Sequence, residues 1–367
     1  MDKVVQEATM DPPAENSSHS PFSHFETCQP SFPAVFLLIT AYAIVTLVGL
    51  LGNLCLIVII GKQKESQNVT NILIANLSVS DILISVMCIP FTAAYTLMDY
   101  WVFGEAMCKM NNFVQSMSVT VSTFSLVLIA IERYQLIVNP RGWKPKISHA
   151  FWGIVFIWAF SIIISTPFFI FHQIADHPLS NHSDIYMNKV VCIEMWPSIE
   201  ERRGYTTTML VCQYFFPLGF IFICYLKIFV CLQKRYGKVD NIKENENRLN
   251  ESKRINAMLI SIVVTFGACW LPLNVFNVMF DWNYEALISC HHNVIFILCH
   301  LVAMISTCVN PFFYGFLNKN FQKDLVILFH NFRCFESQEL YENIALSTVN
   351  TDVSKVSMKL NNMPANI

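Results

Sequence analysis

The chain has 367 residues, of which 54% are hydrophobic and only 14% charged, and its formal net charge is −2. A water-soluble domain carries about a quarter of its residues as charges, so this chain lacks the polar surface of one. The near-neutral balance offers no electrostatic case for a nucleic-acid partner. What remains is a protein whose solvent is lipid.

Residues 1–33 are polar and mildly acidic, without the basic start and apolar core of a secretory leader, so the first apolar stretch is expected to insert by itself. Seven stretches follow, at 34–60, 70–97, 105–138, 148–171, 205–234, 252–280 and 290–317. Each holds the ~20 mostly apolar residues a helix needs to cross about 30 Å of hydrocarbon. Barrel strands would be about half that length, so the fold class is an all-α membrane protein, a seven-transmembrane helix bundle over 34–317. After the last span, Phe321, Leu325 and Phe329 recur at four-residue spacing while Lys319 and Lys323 stay polar. This predicts a short amphipathic cytoplasmic helix over 318–333. Cys334 just beyond is a palmitoylation candidate. Residues 334–367 form a polar tail whose Ser347, Thr348, Thr351, Ser354 and Ser357 could be phosphorylated into an anionic docking strip.

The spans are not clean. They carry Asn53, Asp81, Glu132-Arg133, Pro217, Cys269-Trp270-Leu271-Pro272 and Asn310-Pro311-Phe312-Phe313-Tyr314. An ionised group at mid-membrane costs at least about 2.5–3.5 kcal/mol, so a purely structural bundle would not keep one in span after span. Asp81, Ser122, Ser306 and Asn310 fall at matching depth and could surround a cation; the plainer alternative is a hydrogen-bonded cluster that glues helices. Pro217, Pro272 and Pro311 each remove a backbone donor and loosen the helix one turn back, beside the bulky Trp270 in the second case.

Basic residues set the orientation. One side holds only Lys3, Lys109, Lys189, Arg202 and Arg203, and the other holds the rest, which places the C-terminus in the cytoplasm and the N-terminus outside. The outer face is then acidic and would attract a cationic ligand. Sequons at Asn16 and Asn181 fall outside and are the glycosylation candidates; those at Asn68, Asn76 and Asn250 are read as chance matches. Cys28, Cys108, Cys192 and Cys290 lie on the oxidising side and allow three connectivities, of which Cys108–Cys192 with Cys28–Cys290 is preferred.

Taken together, Gly52-Asn53, Asn76-Leu77 with Asp81, Cys108, Glu132-Arg133-Tyr134, Trp158, Pro217 with Tyr225, Cys269–Pro272 and Asn310–Tyr314 resemble the rhodopsin-like (class A) G-protein-coupled receptors across 34–330. The resemblance implies a sodium pocket at Asp81, Ser122, Ser306 and Asn310. It also implies a switch made of Glu132, Arg133, Tyr134, Tyr225, Trp270, Pro272, Pro311 and Tyr314. One departure is Ser252, where many relatives have an acid to hold the arginine, though Glu251 is adjacent. Receptor kinases and arrestin are further implied partners.

Longer phrases narrow the family. Asn68-Val69-Thr70-Asn71-Ile72-Leu73, the run from Tyr95 to Glu105, Asn139-Pro140-Arg141-Gly142-Trp143 and Phe280-Asp281-Trp282 resemble the neuropeptide Y, peptide YY and pancreatic polypeptide receptors, in the subgroup of types 1, 4 and 6. That resemblance implies a C-terminally amidated peptide ligand, an inhibitory-class heterotrimeric G protein and lowered cyclic AMP. The binding positions it implies are Thr92, Tyr95, Gln115, Phe168, Gln213, Asn277, Asp281 and His300, with Asp99, Trp101 and Glu194 at the outer mouth. The residues agree: Gln115 stands where an amine receptor needs an acid, while Asn277 and Asp281, one turn apart, suit a guanidinium. A decoy or scaffold of the same fold, and a receptor for another Arg-containing amidated peptide, are the alternatives. A transporter would show repeat symmetry, and a membrane hydrolase paired acids or a nucleophile–base set; neither is evident.

Overall fold

The computed structural model describes residues 32–62, 68–177, 187–236, 243–282, 292–317, 321–323 and 325–327. The helices are α1 (Phe32–Lys62), α2 (Val69–Met87), α3 (Ile89–Met98), α4 (Gly104–Ile137), α5 (Ile147–Phe171), α6 (Ile199–Met209), α7 (Phe216–Tyr236), α8 (Lys243–Trp282), α9 (His292–Ile305) and α10 (Val309–Leu317). Seven stretches among them are long and apolar enough to cross a membrane: Phe32–Lys62, Val69–Met98, Gly104–Ile137, Ile147–Phe171, Ile199–Lys234, Leu249–Trp282 and Asn293–Gly315.

Burial separates the centre of the bundle from its rim. Over an 18-residue apolar stretch of each, 72% of the third span's residues are buried, against only 17% of the fourth's and 22% of the first's. That is why α4 carries serines and threonines such as Ser116, Ser118, Thr120, Ser122 and Thr123 on buried positions, whereas α5 exposes Trp152, Phe156 and Ile163. In a bilayer those exposed side chains face hydrocarbon and need no partner. The glycines of α1 let side chains of the seventh span close against its backbone. A Cβ at Gly52 would lie 2.7 Å from Pro311 Cγ, and one at Gly49 would lie 2.7 Å from Thr307 Oγ1.

Irregularities fall beside prolines. Pro90 cannot donate to the ladder, and the second span breaks at Cys88 into α2 and α3. A π-helical turn at Leu210–Phe215 precedes Pro217 in the fifth span, and a 3₁₀ turn at Ser306–Cys308 precedes Pro311 in the seventh. The sixth span runs through Pro272 as one helix. It also begins at Lys243 instead of the expected 252, and the fifth begins at Ile199 instead of 205. The early start of the fifth has a local cause. Ser198 caps it by accepting from Glu201 N at 3.2 Å, and Glu200 and Glu201 sit in the positive first turn.

The expectation of an all-α protein needs one amendment. β1 (His172–Asp176) and β2 (Val190–Glu194) form an antiparallel pair, with Ile174 opposite Cys192. The hairpin is fastened to the bundle by the Cys108–Cys192 disulfide (Cα–Cα 5.6 Å) and by Tyr95 Oη donating to Cys192 O at 3.3 Å. Trp101, expected at the mouth, is instead 3% exposed. Its backbone N–H donates to Val190 O, its ring lies edge-on to Tyr95 and Phe103, and it locks the α3–α4 turn to β2. Asp99 ends α3 in the left-handed region at φ 62°.

Residues 321–323 and 325–327, within the expected amphipathic segment, are helical. Asn16, Asn181, Cys28, Cys290, Cys334 and the tail serines and threonines lie outside the described residues. Asn76 cannot be glycosylated in this fold: its amide donates to Ser125 Oγ at 2.8 Å and accepts from Trp158 Nε1 at 2.9 Å. Asn68 is the cap of α2, accepting from Asn71 N at 2.8 Å.

Candidate functional site

Beneath the hairpin the spans enclose a cavity of about 240 Å³. Of the expected binding residues, Thr92, Gln115, Phe168, Glu194, Gln213, Asn277, Asp281 and His300 line it. Tyr95 and Asp99 do not. Tyr95 is spent on Cys192 and Trp101, and the Asp99 carboxylate accepts from Asn293 Nδ2 at 3.4 Å. Gln115 keeps the middle of the third span neutral, and Thr92 Oγ1 accepts from Asn111 Nδ2 at 2.9 Å. Gln213 owes its position to the π-helical turn. Its amide crosses to α4 and donates to Ser116 O at 2.8 Å and to Thr120 Oγ1 at 2.7 Å. His300 is 1% exposed, with Nδ1 3.0 Å from Tyr42 Oη and Phe296 stacked on its ring.

The upper wall is the charged part. Asp281 is 7% exposed, and its Oδ1 pairs with Arg202 at 2.8 Å; Arg202 also lies 3.6 Å from Glu194 Oε2. Glu194 accepts from Trp196 Nε1 at 3.0 Å, and its other oxygen is 3.5 Å from His172 Nε2. The His172 Nδ1 lies 2.7 Å from Phe168 O, and its Nε2 lies 2.6 Å from Asn112 Nδ2. Burial pushes the His172 imidazole below its ordinary range, against the opposing pull of Glu194. Arg202, Thr206, Asn112, Asn274, Phe280 and Phe296 line the cavity without having been picked out from sequence. The signal for Asn274 and Phe296 was available: each sits one turn from a named residue, Asn277 and His300.

The cavity floor is Trp270, 5% exposed, whose Nε1 donates to Ser306 Oγ at 3.0 Å across the sixth and seventh spans. Below it lies the second polar layer. Asn310 Nδ2 donates to Asp81 Oδ2 at 2.8 Å, Ser122 shares a hydrogen bond with Ser80 at 2.8 Å, and Asn53 donates to Gly49 O and Thr307 O at 2.8 and 2.7 Å. The Asn53 and Asn310 side-chain oxygens have no hydrogen-bond partner among the described residues. A buried oxygen such as that of Asn310, on the amide that contacts the Asp81 carboxylate, suits a hard cation.

At the far end Glu132 is 5% exposed and lies 3.3 Å from Arg133 Nε, while Thr70 Oγ1 donates to Glu132 at 2.5 Å and Arg133 donates to Thr70. Thr70 is the residue the sequence reading missed here. Tyr134 lies under Lys227 (5.9 Å from ring to Nζ). Tyr225 and Tyr314 are buried, at 6% and 3% exposed, and the Tyr225 hydroxyl has no partner among the described residues.

The seven-transmembrane receptor (rhodopsin family) profile matches residues 52–314. The chain is 59% identical to mouse neuropeptide Y receptor type 6, over the whole of both chains. It is 60% identical to the rabbit type 6 receptor, over 98% of this chain and all of the relative. Against the Xenopus laevis type 1 receptor it is 56% identical, over 95% of each.

Proposed function

We propose, from the premise that the chain belongs to the rhodopsin family of seven-transmembrane receptors and within it to the neuropeptide Y receptors, that it answers C-terminally amidated peptides of the neuropeptide Y, peptide YY and pancreatic polypeptide class. It is a multi-pass plasma-membrane receptor and not an enzyme. The observation that carries the peptide reading is the cavity itself: an acid, Asp281, set in the upper wall, amides at Gln115, Gln213 and Asn277 below it, and Trp270 at the floor. A peptide guanidinium would pair with Asp281 while the terminal amide reaches the neutral amides. Glu194 and the acidic mouth steer its approach.

Pressure on Trp270 would strain its bond to Ser306 and tilt α8 about Pro272. The Arg133 end would then open, freeing Arg133 from Glu132 and Thr70 for a G protein of the inhibitory class, with cyclic AMP lowered. Tyr225 and Tyr314 would hydrogen-bond within that rearranged interior. Asp81, with the free oxygens of Asn53 and Asn310 and the hydroxyls of Ser122 and Ser306, would hold sodium in the resting state. The hairpin disulfide and the distribution of basic residues support an extracellular hairpin and a cytoplasmic C-terminus. Receptor kinases and arrestin would act on the tail, and Cys334 would take palmitate.

The test is a cyclic AMP and binding assay on transfected cells given each of the three amidated peptides. Nanomolar binding with a fall in cyclic AMP is expected. Surface expression without binding would leave the decoy reading and the reading of a receptor for another Arg-containing amidated peptide.

A further inference from the structure

The acid expected to receive a ligand's guanidinium already holds one. Arg202 approaches Asp281 through one terminal nitrogen at 2.8 Å and Glu194 through Nε at 3.6 Å, and its guanidinium lies 5.3 Å from the centre of the Phe280 ring. All four residues line the cavity. The arginine side chain is only 14% exposed. Its neighbour strengthens the placement: Arg203 Nε donates to Asp281 O at 2.9 Å and its guanidinium lies 5.6 Å from the Trp282 ring. Trp282 Nε1 in turn donates to Thr207 Oγ1 at 3.2 Å. The start of the fifth span is thus stitched to the end of the sixth, and the pairing of Arg202 with Asp281 is the inward-facing stitch.

We infer that Arg202 is a specificity-determining residue of the peptide site: in the free receptor it occupies the carboxylate that a ligand's basic group must win, and on binding it is handed across to Glu194. This rests on the peptide-receptor reading above. The charge balance supports it. One arginine now stands between two carboxylates, so Asp281 and Glu194 have one guanidinium between them. A ligand bringing one cation supplies the second. Glu194 already lies close enough to Arg202 to keep it as Asp281 is released.

The cation that fits this exchange is a guanidinium. Arg202 is a planar, weakly hydrated fork, and an incoming guanidinium can replace it on Asp281 bond for bond. A lysine ammonium is a compact, strongly hydrated point charge and cannot. Removing the resident arginine should therefore relax the choice between arginine and lysine instead of simply weakening binding.

The experiment uses the full-length receptor in membranes and two synthetic amidated peptides that differ only by Arg→Lys at the basic position. Arg202→Gln, which keeps an amide against Asp281 without the charge, should shrink the arginine-over-lysine preference by about tenfold or more, with the lysine peptide gaining affinity outright. Arg202→Lys should fall between wild type and Arg202→Gln. A preference unchanged within about twofold, or equal losses for both peptides at normal surface expression, would overturn the inference. Thermal stability of the ligand-free, detergent-solubilised receptor gives an independent readout. Arg202→Gln, Asp281→Asn and the double variant should be coupled, the double being no less stable than the worse single; additive losses would mean the clasp is absent. Failure of both peptides to bind wild type, with that coupling intact, would overturn the peptide reading and this inference with it, while showing that the clasp itself exists.

Discussion

The two polar layers of the bundle handle charge in opposite ways. Beneath the hairpin, full charges face one another: Arg202 pairs with Asp281 at 2.8 Å and stands 3.6 Å from Glu194, its Nε without a hydrogen bond among the described residues. At mid-depth a single carboxylate, Asp81, is met by a neutral amide, and oxygens of Asn53 and Asn310 remain without partners among the described residues. Buried charges are costly unless paired, whereas small unsatisfied dipoles cost about 1–3 kcal/mol each. The upper layer is therefore arranged to exchange one partner for another. The lower layer is held off its optimum, and a second arrangement of the same residues can compete with this one.

The largest test of that contrast is Asp281→Ala. It removes the ligand's counter-ion and strands Arg202, so peptide affinity should fall by about 100-fold or more, since truncating one side of a buried charge pair costs about 2–5 kcal/mol. Saturation binding at normal surface expression measures it, and retained affinity would erase the distinction between the layers. Asp81→Asn should act differently, leaving peptide affinity in sodium-free medium within a few fold while abolishing the effect of sodium on agonist binding. Such couplings are about 5-fold or more, and binding measured in sodium against a bulky organic cation would reveal it.

A smaller effect is expected from pH. Burial holds the His172 imidazole below its ordinary range, so the folded state binds fewer protons there than the unfolded chain. The stability contribution is complete above about pH 6.5 and is lost progressively as pH falls below it. Melting of the ligand-free receptor should drop between pH 7.5 and 5.5, and His172→Gln should flatten that drop. His177, also held low by burial, would leave a residual slope. Smallest of all, Tyr225→Phe removes a hydroxyl that has no partner among the described residues and should leave the ligand-free melting point nearly unchanged. Agonist-stimulated signalling should nevertheless fall, and an equal loss of resting stability would mean that the hydroxyl is already engaged in this state.

Much of the lower layer was legible in the sequence because a polar group in an apolar run is conspicuous. Asn53, Asp81, Arg133 and Asn310 could hardly be overlooked, and they come together or pair as a bundle requires. The upper layer was legible only where its residues sat inside a span. Arg202 follows Glu200 and Glu201 in a stretch that reads as a solvated loop, and only the cap at Ser198 converts that stretch into the first turns of a helix facing the cavity. Trp101 was misplaced for the converse reason. An aromatic in a polar loop looks like a mouth residue, and its burial depends on a β-strand pairing about ninety residues away. Thr70 has an unremarkable sequence context; its value comes from a distant helix that delivers Glu132 and Arg133 to it.

The π-helical turn at Leu210–Phe215 gives the fifth span one residue more than a regular helix would need there. Everything on its far side, including Thr206 and Arg202, is therefore turned by about 100° and shifted by about 1.5 Å relative to the half that follows Pro217. Deleting any single residue of that turn would leave every side chain of the clasp in the gene but turn Arg202 out of register with Asp281. The affinity of this wall for a cation is written partly in chain length, and a substitution scan, which never changes length, would not find it.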